Sequence, residues 1–145
     1  MKWVTRERPK IDRIACPWLI ARFIDPSPEF LYVPGDQVMT VAGQTGAVPY
    51  DVPDVEMTHV GERCSFDAFM DKHGLSDPAL QQLALIVRGA DTSRLDLTPQ
   101  SAGLLAISQG LSRHFTDDHD MLRHGMVMYD ALYAWCQSCQ GARPG

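Results

Sequence analysis

The feature that most constrains the fold is a pair of helix start signals in the second half of the chain. Asp77-Pro78 and Thr98-Pro99 each place a capping side chain directly before a proline, the residue that suits the first helical position. Apolar residues then recur at helical spacing as far as Gly89 and Phe115. Two helices are therefore predicted, the first of which stops near Gly89, where glycine suits a C-cap.

A final helix is predicted from about Asp117 to about Cys136. It is apolar around much of its circumference, Val127 and Trp135 included, so we expect it to lie centrally with several packed neighbours. Asp117 is expected to cap its first turn. The exposed strip is predicted to carry Asp120, Arg123, His124, Asp130 and Gln137.

The first half is rich in proline and glycine and predicts short strands instead. The clearest strand covers residues 30–33 and is ended by the turn signal Pro34-Gly35-Asp36. Further strands are predicted at 37–41, at 47–51, where Pro49 requires an edge position, and at 56–60. Ser65 is expected to cap a short helix that ends before Gly74. The predicted class is α+β: a small mixed β-sheet in the N-terminal half, covered by a mainly helical C-terminal half.

Composition and net charge bear on what the protein binds and on where it is located. The chain of 145 residues carries a net charge of -5, which argues against general binding of nucleic acid. It has no apolar run of the roughly 20 residues that a membrane helix needs and no secretory signal, so a cytoplasmic location is expected. The prediction is one domain over residues 1–137 and a flexible tail over 138–145.

The first candidate site surrounds Cys16. Pro17 suits a first helical turn, which would put Cys16 at or beside an N-cap, where the helix dipole lowers the pKa of a thiol. Cys16 is then a candidate nucleophile or electron donor, and Arg13 and Arg88 are candidates for binding an oxyanion. The alternative is that Cys16 is a small buried hydrophobe and that Asp12 caps a proline-kinked helix that starts earlier.

A second candidate site is a metal centre. His59 and Glu62 can converge across Gly61, and imidazole with carboxylate suits iron, manganese or zinc. Asp118 lies on the apolar face of the final helix and needs a partner there, either an arginine or a metal. Asp91 and His119 are candidate fourth ligands. A surface loop around His59 and a turn at Asp91 are the plainer alternatives.

Cys136 and Cys139 form a third, weaker pattern near the C-terminus. The C-x-x-C spacing is typical of a redox or metal half-site, but a zinc site would need two further ligands. A frayed end of the chain is the favoured interpretation.

Four short sequence segments carry a family resemblance. They are Asp12-Arg13-Ile14-Ala15-Cys16-Pro17-Trp18, His59-Val60-Gly61-Glu62-Arg63-Cys64, Val87-Arg88-Gly89-Ala90-Asp91, and Asp117-Asp118-His119 followed by Tyr129 to Cys136. In this order they resemble the C-terminal domain of the chromate resistance protein B (ChrB) family, over about Trp3 to Cys136. The family is associated with bacterial chromate resistance, and its full-length members act as chromate-responsive regulators with an additional N-terminal region.

The resemblance implies a role in chromate or oxyanion stress. We expect a cytoplasmic, metal-binding domain that acts as a sensor or accessory protein and meets a small oxyanion such as chromate. The alternative is a thiol- or metal-dependent oxidoreductase. A third reading is a module that forms a homodimer or docks onto a partner regulator. Direct binding of nucleic acid is not expected from this chain alone.

Overall fold

The computed structural model describes residues 1–52 and 64–140. The elements in chain order are β1 Lys2–Arg6, α1 Asp12–Leu19, a π-helical turn Ile20–Ile24, β2 Glu29–Val33, a 3-10 turn Gly35–Gln37, α2 Val38–Thr45, β3 Val48–Pro49, α3 Ser65–Lys72, α4 Pro78–Asp91, α5 Ser101–His114 and α6 Asp118–Gln140. None of the helices in these ranges is long and apolar enough to cross a membrane.

The described strands form one three-stranded sheet with β1 in the centre and the order β2-β1-β3. Trp3 pairs with Phe30 of β2 on one side and with Val48 of β3 on the other, in parallel register. The α+β class and the edge position of β3 are confirmed. The described sheet is parallel rather than mixed, because β1, which the sequence pattern did not reveal, is the central strand to which both neighbours run parallel.

The predicted strand over residues 37–41 is wrong, because this segment starts α2. Parallel strands cannot be joined by a tight turn, so the chain between β2 and β3 must cross over, and a helix is the usual connection. Val38 is 1% exposed and packs in a cluster with Val4 of β1. The strand predicted at 56–60 lies outside the described residues.

The two faces of the sheet are covered by different helices. Trp3 and Val4 are neighbours on β1, so their side chains point to opposite faces. Trp3 belongs to the large core built with α1, α3, α4 and α6, whereas Val4 belongs to the smaller cluster with α2. The arrangement therefore has three layers, and the helices outnumber the strands.

Helix α4 begins as predicted and ends later than predicted. The Asp77 carboxylate accepts a hydrogen bond from the Ala79 N–H at 3.2 Å, as an N-cap should. The helix continues through Gly89 to Asp91, and Thr92 is the C-cap. The C-cap prediction for Gly89 is therefore wrong. A Cβ at this position would lie 2.3 Å from Ser101 Oγ, so glycine is needed there for close packing.

Of two further predicted caps, one is wrong by two residues and one is confirmed. Thr98 Oγ1 accepts from the Ser101 N–H at 3.1 Å, but α5 begins at Ser101 and its N-cap is Gln100, so the predicted helix start at Thr98-Pro99 is wrong. Asp117 Oδ2 accepts from the Asp120 N–H at 2.9 Å at the start of α6.

Helix α6 differs from the prediction in its length and in its outer face. It packs against α1, α4 and α5, as expected for a helix with several neighbours, and it runs on to Gln140. Val127 is 67% exposed and Trp135 is 41% exposed, so these two apolar residues face outward. The apolar circumference of α6 therefore does not mean that it is enclosed on all sides.

Candidate functional site

The candidate site lies at the carboxyl ends of the parallel strands. The chain passes from β1 to β2 on one side of β1, and β3 then lies on the other side. The carboxyl ends of β1 and β3 therefore form a topological switch point. Ligands of open α/β sheets bind at such points. Arg6 is the last residue of β1, and Asp51 lies just beyond β3. Thr5 Oγ1 donates to the Tyr50 carbonyl at 2.7 Å, which holds the two chain segments together.

Two arginines converge there on one carboxylate oxygen. Arg6 Nη2 lies 3.6 Å and Arg13 Nε lies 3.5 Å from Asp51 Oδ2. Arg6 Nη2 also donates to the main-chain oxygen of Asp51 at 3.1 Å. Burial, and next the charge of Arg6, lower the pKa of Arg13, although both guanidinium groups stay charged. The pair therefore concentrates positive charge around Asp51, with the Arg13 side chain 16% exposed and the Arg6 side chain 44% exposed.

The other oxygen of Asp51 ties the site to α3. Asp51 Oδ1 accepts from Ser65 Oγ at 2.7 Å, and Ser65 is the first residue of α3. The N-cap is Cys64 rather than Ser65, so the capping prediction for Ser65 is wrong by one residue. The Cys64 N–H donates to Asp67 Oδ2 at 3.0 Å, which completes a capping box.

Two phenols lie near Arg13: Tyr50 is fully buried, and Tyr32 is partly buried. Pro17 lies inside α1 and has no N–H, so the carbonyl of Arg13 lacks its usual helical hydrogen bond. Tyr32 Oη donates to this carbonyl instead, at 3.5 Å. Burial raises the pKa of Tyr32 and of Tyr50. The two hydroxyls are close enough to affect each other, yet Tyr50 Oη has no well-aligned hydrogen-bond partner among the described residues. A buried unpaired hydroxyl is costly, so this interior spot is suited to a water or a polar ligand atom.

Cys16 does not occupy a helix N-cap. Helix α1 begins at Asp12, so Cys16 is its fifth residue, and it is 0% exposed. Of the two interpretations of Cys16, the N-cap position is therefore wrong. The alternative, a buried thiol in a helix that starts earlier and contains Pro17, is confirmed, although the N-cap is Ile11 rather than Asp12. A negative charge on Cys16 would contribute, after burial, to the raised pKa of both Tyr32 and Tyr50.

Asp118 has an arginine as its partner. Arg8 donates to it twice, from the main-chain N–H to Oδ2 at 3.1 Å and from Nη1 to Oδ1 at 3.1 Å. The Arg8 guanidinium also donates to the carbonyls of Ser112, Phe115 and Thr116, between the end of α5 and the start of α6. Of the two partners considered for Asp118, the structure shows the arginine.

Asp91 and His119 lie on the borders of the same region. The His119 ring packs edge-on against Tyr32, with 5.4 Å between ring centroids. Asp91 ends α4, and its charge raises the pKa of Arg13 against the larger effect of burial. The structure thus packs His119 against Tyr32 and places Asp91 at the C-terminal end of α4.

Only some of the residues of the predicted metal centre belong to the part of the chain that the structure describes. His59 and Glu62 lie outside the described residues. Across residues 1–52 and 64–140, no three His, Cys, Asp or Glu side chains are grouped as metal ligands. Both oxygens of Asp118 accept hydrogen bonds from Arg8, which does not suit metal ligation by this carboxylate.

Arg88 forms a separate ion pair between α3 and α4. Its Nε and Nη2 donate to Asp67 at 3.0 and 2.9 Å in a bidentate arrangement, and this bond raises the pKa of Arg88. Asp67 is 2% exposed, so the pair is part of the packing. Arg88 also borders a cleft of about 280 Å³ with Met70, Asp71 and Leu75.

The C-x-x-C pair lies within the last turns of α6. Cys136 is buried and its pKa is raised to about 11, first by burial and then by Cys139. Cys139 is exposed. These two residues therefore differ in accessibility rather than forming two equivalent thiols.

The fold and the site define a small α+β domain with two arginines around Asp51 at the carboxyl edge of a parallel sheet, the place where open α/β sheets form a crevice. Residues 3–136 match the family model described as ChrB, C-terminal domain, and the chain belongs to this family. A similar curated protein is "Protein ChrB" of Cupriavidus metallidurans strain CH34, which is 30% identical over 133 residues, or 91% of this chain and 40% of that protein. The chain thus spans less than half the length of this relative. No solved structure matches the chain.

Four residues of the crevice escaped the sequence pattern: Arg6, Tyr32, Tyr50 and Asp51. Arg6 and Asp51 each lie at the carboxyl end of a strand, but β1 has five residues and β3 has two, too few to show clear alternation. The signal that could have found them is the position of polar residues directly after two strands of one parallel sheet.

Proposed function

We propose that this domain binds a small tetrahedral oxyanion such as chromate in the crevice between Arg6 and Arg13. In this proposal it acts in the bacterial cytoplasm, as a sensor or accessory protein in chromate or oxyanion stress resistance. The observation that carries the proposal is the convergence of two guanidinium groups on one carboxylate oxygen at the switch point of the sheet. Membership of the ChrB family supports the link to chromate.

The chemistry of the crevice suits an oxyanion. Guanidinium groups offer planar, paired donors that match carboxylate, phosphate and similar oxyanions. The distances of 3.6 and 3.5 Å to Asp51 Oδ2 exceed the roughly 2.7–2.9 Å of a strong charge-assisted hydrogen bond. In addition, Arg6 Nε is buried and meets no acceptor among the described residues. Donor capacity is therefore left over for a ligand.

The test is anion binding by isothermal titration calorimetry, with chromate and with sulfate as a probe that the protein cannot reduce. Arg6→Ala and Arg13→Ala should each weaken binding at least tenfold, which corresponds to about 1.4 kcal/mol. Arg123→Ala is the matched control, since Arg123 is exposed and pairs with Asp120 on α6. Unchanged affinity in both crevice variants would refute the proposal.

An oxidoreductase is the second candidate, and the position of Cys16 one helical turn after Arg13 on α1 favours it. Cys16 would act as electron donor to an oxyanion held by Arg13. The readout is loss of chromate absorbance under excess reductant. A Cys16→Ser variant that binds chromate normally but no longer consumes it would support catalysis, and no consumption by the wild type would exclude it.

Metal binding is a separate proposal that rests on His59 and Glu62. Metal content of protein purified without an affinity tag, measured by mass spectrometry, should give about one iron, manganese or zinc per chain. His59→Ala should remove the metal, whereas His124→Ala, on the exposed side of α6, should retain it. Full metal content in folded His59→Ala would contradict the proposal.

A further inference from the structure

We infer that Asp51 is an internal counter-ion that occupies the place of one ligand oxygen between Arg6 and Arg13, and that a bound dianion displaces it. The inference rests on the proposed oxyanion site and concerns its selectivity. Asp51 would therefore weaken binding, although it contacts both ligand-binding arginines.

The two oxygens of Asp51 are held differently. Oδ1 accepts a short hydrogen bond of 2.7 Å from Ser65 Oγ. Oδ2 lies at 3.5–3.6 Å from the two guanidinium groups, beyond the range of strong hydrogen bonds. A carboxylate oxygen between two guanidinium groups resembles one oxygen of a tetrahedral anion in charge and size. The side of Asp51 that faces the two guanidinium groups is thus the side that a ligand would replace.

Charge decides whether Asp51 can stay in contact while a dianion binds. Arg6 and Arg13 supply two positive charges, and Asp51 supplies one negative charge. A dianion bound beside an undisplaced Asp51 would leave these groups with an excess negative charge, whereas displacement would leave them neutral. The negative charge of Asp91 also acts on Arg13 and adds to the repulsion. Like charges at contact distance disfavour each other strongly, so a dianion and Oδ2 compete for the same donors.

The backbone at Asp51 permits a clean test. Asp51 has φ of 52°, in the left-handed region that asparagine tolerates better than most residues. Asp51→Asn keeps an oxygen that can accept from Ser65 Oγ, removes the negative charge and replaces the other oxygen by an NH2 group. Asp51→Gly also adopts this conformation without strain and removes the side chain altogether.

The experiment is calorimetric titration of the full chain with sulfate, a dianion, and with perchlorate, a tetrahedral monoanion, at one fixed ionic strength. Asp51→Asn and Asp51→Gly should bind sulfate at least tenfold more tightly than the wild type and should change perchlorate affinity much less. Asp96→Asn is the control, because it removes the same charge from an exposed ion pair with Arg94. It should change sulfate affinity less than twofold.

The outcomes separate this inference from the proposed function. Weaker or equal sulfate binding in folded Asp51→Asn and Asp51→Gly, together with loss of binding in Arg13→Ala, would overturn the role of Asp51 and leave the oxyanion site standing. An equal gain for sulfate and perchlorate would overturn the charge argument. If Arg6→Ala and Arg13→Ala bind sulfate and chromate like the wild type, the proposed function itself fails. Circular dichroism melting confirms that each variant is folded.

Discussion

Replacing Gly89 by alanine should destabilise this domain, although the same change usually strengthens a helix. In the interior of a helix alanine is favoured over glycine by about 1 kcal/mol. At Gly89, however, an added Cβ would meet Ser101 Oγ at 2.3 Å and the Arg94 carbonyl oxygen at 2.8 Å. Both distances are shorter than real Cβ contacts, so α4 must shift away from α5.

The expected magnitude follows from two destabilising effects and one stabilising effect. Overpacking a tight contact costs about 1–3 kcal/mol. Moving the Ser101 side chain also breaks its hydrogen bond to the Ile86 carbonyl, 3.0 Å long, which contributes about 1 kcal/mol. After the gain in helix propensity, the free energy of unfolding of Gly89→Ala should fall by about 1–3 kcal/mol.

The assay is thermal and urea unfolding followed by circular dichroism. For a domain of this size the melting temperature should fall by about 3–4 °C for each kcal/mol. Gly110→Ala is the control, since Gly110 lies in α5 with no atom within 4 Å of an added Cβ, and it should stabilise by about 0.5–1 kcal/mol. A Gly89→Ala protein as stable as the wild type would show that α4 and α5 are not in close contact at this point.

Three further predictions concern ion pairs and thiols. Arg8→Lys should lower the free energy of unfolding by about 2 kcal/mol in urea titrations, because one ammonium cannot replace the guanidinium that bridges α5 and Asp118. A variant as stable as the wild type would contradict this bridging role of Arg8. At pH 8, iodoacetamide should modify Cys139 and leave Cys136 unmodified until the protein unfolds, since Cys136 is buried and has a pKa of about 11. Peptide mapping by mass spectrometry measures the labelling, and equal labelling of both thiols would refute the prediction. Hydrogen bonding to Arg22 lowers the pKa of Asp130, so this ion pair stabilises above the unfolded pKa of about 3.9 and its contribution is lost as the pH falls through the lower, folded value. Asp130→Asn should therefore unfold more easily at pH 7, by about 1 kcal/mol for a half-exposed pair, and the difference should vanish near about pH 2; a difference that persists in acid would refute the assignment.

The local signals in the sequence predicted the caps and ends of several elements. Asp77 and Asp117 cap helices as their residue types suggest, because a short polar side chain before a helix satisfies free N–H groups regardless of the rest of the fold. Pro49 predicted an edge strand, since proline cannot donate to a second neighbour. These features depend on a few adjacent residues.

The candidate site was predicted only in part. Arg13 was recognised as a candidate ligand for an oxyanion, but its partner arginine and the shared carboxylate were not. Arg6, Arg13 and Asp51 are separated by up to 45 residues, and they meet only because β1 and β3 pair in parallel. The expected N-cap at Cys16 failed because a tertiary contact accommodates Pro17 inside α1, where Tyr32 reaches toward the freed carbonyl of Arg13.

The sequence by itself determined the α+β class, the helix caps at Asp77 and Asp117 and the family of this protein, since each of these is carried by neighbouring residues or by sequence segments in a fixed order. The tertiary structure decided the order of the strands, the packing role of Gly89 and the convergence of Arg6 and Arg13. These depend on which segments pair across the sheet and on where backbones approach each other closely, and such distances between remote residues leave no local signal in the chain.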